Sequence, residues 1–226
     1  MKSFAAPKRY VCFDFDGTLA NTPRGILETA ERVLTEWGLS KEEQGDVNRL
    51  IGPPFPEAFE LVYGFSPEDA QEITNRYRAI YGNLGPEFYP LYEGVQEMLS
   101  TLKEAGVKIA LTTSKQEELA LRMSKTIGID TYFDVVCGNV SGHGDKAELI
   151  AKTIRGFHLN PDNPEQLHEV CMVGDRSYDI LGAKANHIDS VGVTYGAGSL
   201  EELKDAGATR IAHTPAEVTH IVLRTG

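Results

Sequence analysis

Arg9-Tyr10-Val11-Cys12-Phe13-Asp14-Phe15-Asp16-Gly17-Thr18-Leu19 is the stretch on which the reading of the fold turns. Residues 9–13 form a short apolar run that breaks into a polar, glycine-containing turn, as a buried strand does before its functional loop. Beyond it, Ile26, Leu27, Ala30, Val33, Leu34 and Trp37 recur at helical spacing. Further helical pieces are expected around Val47, Leu50 and Ile51, over 58–62 after the Gly52-Pro53-Pro54 break, and along Ala70, Ile73, Tyr77, Ile80 and Tyr81. No segment between Thr22 and Pro90 reads as a strand.

After Glu93-Gly94 the rhythm alternates. Helices are expected over 94–105, 116–127, 146–156, 178–186 and 199–205 and from Pro215, with strands at 107–112, 132–138, 169–173, 189–194 and 209–212 between them. That alternation predicts an α/β fold, a Rossmann-like three-layer core with a mostly parallel sheet and helices on both faces. The all-helical stretch then reads as an insertion after the first strand. The expected organisation is a core of residues 1–21 and 91–226 and a smaller helical domain of residues 22–90. The run Asn160-Pro161-Asp162-Asn163-Pro164 reads as a surface loop.

Composition narrows the partners. The 226 residues carry 22 basic and 33 acidic side chains, a net charge of −11, which argues against a nucleic-acid polymer or an anionic membrane as partner. A hydrophobic share of 41% and a mean hydropathy of −0.26 exclude disordered and collagen-like chains. No apolar run approaches the roughly 20 residues of a membrane span, and the first residues lack the features of a signal peptide, so a cytoplasmic protein is expected. Cys12, Cys137 and Cys171 each lie in an apolar strand-like run and read as reduced, buried thiols without a function. Oligomeric state leaves no trace in the sequence.

In an open parallel sheet, ligands bind outside the carboxyl ends of the strands. Three such ends carry polar chemistry: Asp14-Phe15-Asp16-Gly17-Thr18, Thr112-Thr113-Ser114-Lys115, and Gly174-Asp175-Arg176-Ser177-Tyr178-Asp179. Lys146 opens a helix after the Ser141-Gly142-His143-Gly144-Asp145 loop. Asp14 and Asp16, with Asp175, could surround one hard cation through oxygen ligands, and magnesium is the natural reading. Lys146 and the Thr113 and Ser114 hydroxyls would hold the oxygens of a phosphate. Singly, an Asp-Gly pair is a common turn and a lysine at a helix start is commonly solvated; together, at successive strand ends, they point to a site. An EF-hand opening at Asp14 would need its glutamate where Gly25 stands, and no P-loop string exists in the chain. Tyr195-Gly196-Ala197-Gly198 matches only half of a dinucleotide fingerprint and reads as a turn leading to Ser199 as a helix N-cap.

Asp14–Leu19, Thr112–Lys115, Lys146 and Gly174–Asp179, in that order, resemble the four motifs of the haloacid dehalogenase superfamily of phosphotransferases, over nearly the whole chain. The helical insertion is similar to the small cap of its phosphoglycolate-phosphatase-like branch. Ile51-Gly52-Pro53-Pro54 and the stretch 179–185 look most like bacterial phosphoglycolate phosphatases or 5′-nucleotidases. The resemblance implies a magnesium-dependent phosphomonoester hydrolase acting on a small-molecule phosphate ester. Asp14 is then the nucleophile that becomes an aspartyl phosphate, and Asp16 the acid for the leaving oxygen and the base for water. Gly17, Thr18, Thr113 and Ser114 would bind the phosphoryl group. Asp175 would complete the metal shell with the Asp14 carboxylate and the Asp16 backbone carbonyl, and Asp179 would act through a water or by orienting Lys146. Asn21-Thr22 departs from the family, where an acidic residue often follows the first motif.

Other readings share these residues. A phospho-acceptor signalling module also combines paired acids, a Thr and a Lys on a parallel sheet, but its chain order differs and it has no helical insertion. A phosphosugar mutase would share every core residue and differ in whether water reaches the aspartyl phosphate. Residues 22–90 carry six basic and twelve acidic side chains, so no general electrostatic funnel for an anion is expected from them. Arg49 precedes the turn that the resemblance places over the active site and is the candidate partner for a phosphoglycolate carboxylate. For a nucleotide, Phe55, Phe59 or Tyr63 would meet the base.

Overall fold

The computed structural model describes residues 7–51, 53, 55–140 and 145–223. Gly52, Pro54 and the Ser141-Gly142-His143-Gly144 part of the loop before Lys146 lie outside the described residues. The chain divides into two compact units, Met1–Ala20 with Leu91–Gly226, and Asn21–Pro90.

The first unit is built on β1 (Tyr10–Phe13), β2 (Lys108–Gln116), β3 (Val135–Asn139), β4 (Val170–Gly174), β5 (Asp189–Val193) and β6 (Arg210–Ala212). They form one sheet in the order β3-β2-β1-β4-β5-β6, with every pair parallel. Val11, Cys12 and Phe13 are all fully buried. Successive strand residues point to opposite faces, so both faces of the sheet are covered, as the unbroken apolar runs require. Helices α5 (Val95–Glu104), α6 (Glu117–Thr126), α7 (Lys146–Gly156), α8 (Pro164–Leu167), α9 (Ser177–Ala185), α10 (Leu200–Asp205) and α11 (Pro215–Leu223) complete it. On one face Cys12, Ala110, Val170 and Met172 pack with Ile150 and Ile154 of α7 and Ala183 of α9. The chain runs outward from β1 through β2 to β3, then returns to lay β4 on the other side of β1. This reversal opens the crevice in which such sheets bind ligands.

Several details differ from the sequence expectation, among them the strand expected from 132, which opens only at Val135 after a 3₁₀ turn over Asp130–Tyr132. β2 continues past Thr112 to Gln116 with a register shift against β3, so Thr112–Lys115 extends the strand instead of following it. The 160–164 segment runs into the short helix α8, whose start has Pro164 in its first turn and the Asn163 side chain accepting from the Glu165 N–H at 3.0 Å. All three cysteines are free and buried.

The second unit holds α1 (Pro23–Trp37), α2 (Lys41–Gln44), α3 (Glu57–Tyr63) and α4 (Pro67–Tyr81), with 3₁₀ turns at Val47–Leu50 and Pro86–Phe88. Among its described residues there is no strand. α1 lies against α4, and Val33, Leu34, Phe59 and Ile73 are fully buried in its core. Phe55 stacks on Phe59 at 4.9 Å between ring centroids and meets Tyr77 edge-on at 4.6 Å.

Candidate active site

β1 and β4 are neighbours, so the residues that follow them leave the sheet side by side. Asp14 extends the ladder by one bond, its N–H donating to the Val173 carbonyl at 3.0 Å. Phe15, fully buried, anchors a tight turn, its carbonyl accepting from the N–H groups of Leu19 and Ala20 at 3.0 and 2.9 Å. Gly17 sits in that turn at φ 74°, and a Cβ there would fall on the Asp175 carboxylate. Only glycine combines that backbone with that approach. The fourth contributor arrives on a helix: the Asp145 side chain caps α7 by accepting from the Ala147 N–H at 3.2 Å, which puts Lys146 on the first turn.

Lys146 ties the set together. Its Nζ lies 2.8 Å from Asp14 Oδ1, 2.9 Å from the Thr112 carbonyl and 2.9 Å from Asp179 Oδ1, the last a charge contact and not an aligned hydrogen bond. The other Asp179 oxygen accepts from the Arg176 N–H at 3.2 Å. Asp175 is held on both oxygens, Oδ1 by the Thr18 hydroxyl at 3.4 Å and Oδ2 by the Ala197 N–H at 2.7 Å. Asp16 turns its Oδ2 to Lys115 Nζ at 3.1 Å, and its Oδ1 is buried with no hydrogen-bond partner among the described residues.

Oxygens of Asp14, Asp175 and Asp179 lie within 4.8 Å of one another. Burial, countered by Lys146 and reinforced by Asp179 and Asp16, pushes Asp14 up to about 6. Burial, with the charges of Asp179 and Asp14 added, pushes Asp175 up to about 8. For Lys146, burial alone would lower the pKa, but Asp14 and Asp179 outweigh it and hold the ammonium above its ordinary range. Lys146 thus serves Asp14 and Asp179 together, and burial first, with the charge of neighbouring carboxylates second, is what raises Asp14 and Asp175. An all-oxygen donor set with uncompensated charge suits a hard divalent cation, so the residues fit the magnesium ion that the motifs imply.

The expected residues are not all joined by direct contacts. Thr113 is buried on β2, with its hydroxyl accepting from the Lys115 N–H at 3.2 Å, and Ser114 beside it is partly buried. The Asp16 carboxylate stands apart from the three-carboxylate cluster. Arg49 is exposed on the Val47–Leu50 turn of the second unit and forms no ion pair among the described residues. Two contributors were not foreseen. Lys115, quoted in a motif but given no role, pairs with Asp16, and the Tyr195–Gly198 turn, read only as a lead-in to Ser199, reaches Asp175. Ser199 does cap α10, accepting from the Glu202 N–H at 3.0 Å. The available signal was the Gly-Ala-Gly spacing at a strand end, where a missing side chain marks a close approach.

A family model described as haloacid dehalogenase-like hydrolase matches residues 11–193. The chain belongs to that family. The matched span of this HAD-like chain contains Asp14, Asp16, Lys146, Asp175 and Asp179. It is 35% identical over 205 residues to the tyrosine-protein kinase PtkA of Mycobacterium tuberculosis, covering 90% of this chain and 68% of that one. It is 31% identical over 196 residues to a 5′-nucleotidase of Pseudomonas aeruginosa, covering 86% of each. The crystal structure of a predicted phosphatase from Clostridium acetobutylicum superimposes with a TM-score of 0.88 at 31% identity, over 97% of this chain and 100% of that one. With such relatives along nearly its whole length, this HAD-like protein is a phosphatase. No helix among its described residues is long and apolar enough to cross a membrane.

Proposed function

We propose that this phosphatase hydrolyses small-molecule phosphomonoesters through an aspartyl phosphate on Asp14, with magnesium at the Asp14, Asp175 and Asp179 carboxylates and the Asp16 backbone carbonyl. The observation that carries the reading is the Lys146 ammonium shared by Asp14 and Asp179 at the crevice between β1 and β4. Repulsion between a carboxylate nucleophile and a phosphate dianion is the main obstacle to this chemistry. Magnesium, when bound, neutralises that charge and polarises the phosphoryl oxygens.

The chain's own groups do the rest. An Asp14 oxygen attacks phosphorus in line, the bond to the leaving oxygen breaks, and its electron pair stays with that oxygen. Asp16 gives the leaving oxygen its proton through Oδ1, the oxygen with no protein partner among the described residues. Water then attacks the aspartyl phosphate, Asp16 takes the water's proton back, and inorganic phosphate leaves with Asp14 regenerated. Lys146, Thr113, Ser114 and the turn at Gly17-Thr18 hold the phosphoryl oxygens in both steps.

Two substrate classes divide the reading. Phosphoglycolate is favoured by Arg49, exposed and without an ion pair among the described residues, which offers a partner for a second anionic group. A nucleoside 5′-monophosphate is favoured by the 5′-nucleotidase relative. Of the aromatics expected to meet a base, Phe59 is fully buried and the Tyr63 hydroxyl donates to the Gln44 carbonyl at 3.0 Å, so both serve the helical unit itself. That weighs for the smaller substrate. The test is phosphate release from phosphoglycolate and a set of nucleoside monophosphates with magnesium, by wild type and Arg49→Ala. A selective loss on phosphoglycolate supports the carboxylate role, and an unchanged ratio moves the reading to nucleotides. Transfer to a tyrosine hydroxyl, the reaction in the PtkA relative's name, would need a nucleoside triphosphate as phosphoryl donor, releasing the diphosphate, and a tyrosine in place of water as acceptor. Labelling of a tyrosine peptide without release of phosphate would favour it.

A further inference from the structure

The Tyr195–Gly198 turn follows β5 and belongs to none of the four motifs, yet it is locked onto the carboxylate cluster. The Ala197 N–H donates to Asp175 Oδ2 at 2.7 Å. Gly196 has no room for a side chain, because a Cβ would run into the Gly17 carbonyl and the Asp175 side chain. The position of Tyr195, one residue earlier, is therefore fixed relative to Asp175. Its ring meets Tyr92 edge-on with 5.1 Å between centroids. Its hydroxyl oxygen is buried and has no hydrogen-bond partner among the described residues. Burial and the negative charge of Asp175, with a smaller contribution from Tyr92, hold that hydroxyl above its ordinary pKa.

Leaving a buried hydroxyl without a partner is costly, and a fold tolerates that where a ligand supplies the partner. Among the described residues none is offered, while a cation held by Asp14, Asp175 and Asp179 would bring water oxygens with it, since magnesium keeps several of its waters. We propose that the Tyr195 hydroxyl donates a hydrogen bond to the oxygen shell of a cation held by this cluster, which makes Tyr195 a positioning residue of the metal site. The inference rests on the magnesium reading above. It adds a residue that takes no part in bond making or breaking.

Two roles for Tyr195 give opposite signatures on removal of one atom. If the hydroxyl were structural, Tyr195→Phe would lower the melting temperature of the metal-free protein. If it serves the cation shell, Tyr195→Phe removes an unsatisfied polar atom, and the metal-free protein should melt at the same temperature or higher. Magnesium affinity, measured by titration calorimetry on the chelator-stripped full chain, should then fall about three- to tenfold, the effect of one lost hydrogen bond. Unchanged magnesium affinity in Tyr195→Phe, or a lower melting temperature without magnesium, overturns the assignment. Absence of magnesium binding by the wild type would instead overturn the metal reading itself, so the two failures are told apart.

Discussion

Asp14 is held between the Lys146 ammonium and the backbone of β4, and an amide in its place would keep that shape. It could not form an acyl phosphate. Asp14→Asn is therefore expected to fold normally and to lose turnover by about 10⁴-fold or more, as removal of a nucleophile does in other covalent mechanisms. Asp16 offers a finer test because its two oxygens differ, one engaged by Lys115 and the other unpartnered among the described residues. Asp16→Asn should cripple hydrolysis of alkyl phosphates, whose leaving oxygen needs a proton, and spare much of the rate on nitrophenyl phosphate. Equal losses on the two substrates would remove Asp16 from the acid role. Asp14, Asp16 and Asp175 were legible in the sequence because they closely follow apolar strand-like runs, Lys146 because it opens a helix after a glycine-rich loop, and Asp179 through the motif resemblance. Their mutual distances were not, because contacts such as Lys146 with Asp14 join residues far apart in the chain.

The turn that closes β1 is the element on which the site depends most. Its glycine has a left-handed backbone and faces the Asp175 carboxylate, so Gly17→Ala meets strain and a collision together. A left-handed alanine and a displaced carboxylate should lower stability by about 1–3 kcal/mol, and magnesium affinity should fall as Asp175 moves. Calorimetric titration and thermal melting of Gly17→Ala check both; wild-type values in each would show that the turn is not what aims Asp175. The strands and main helices could be read from apolar periodicity, since each buries a continuous run or a regular face. The extension of β2 through Thr112–Gln116 could not, because its polar residues carry no alternation and are held by pairing with β3. The Tyr195–Gly198 turn escaped for a related reason. Its bond to Asp175 is made by a backbone N–H, which every residue but proline carries.

For the molecule as a whole, the crowded carboxylates tie stability to pH and to the cation. Asp14 and Asp175 are raised to about 6 and about 8 in the folded protein, against an ordinary aspartate value of about 3.9 in the unfolded chain. Between those limits the folded state binds more protons than the unfolded one, so stability falls as pH rises through that window. The metal-free protein should lose melting temperature from about pH 5 to pH 8, and magnesium, by neutralising the carboxylates, should restore more of it at pH 8 than at pH 5. A magnesium-induced shift independent of pH would contradict this electrostatic account. The α/β alternation and the helical character of the stretch expected over 22–90 were readable from the sequence, because strands alternating with helices and an unbroken run of helices differ in rhythm. The reaction is tested most directly by acid-quenching the enzyme during turnover of a ³²P-labelled phosphomonoester with magnesium and mapping the protein-bound label. The account predicts acid-stable, base-labile label on the peptide containing Asp14, formed and discharged at the rate of turnover. Steady turnover with no label on the protein, or label on any residue other than Asp14, would contradict it.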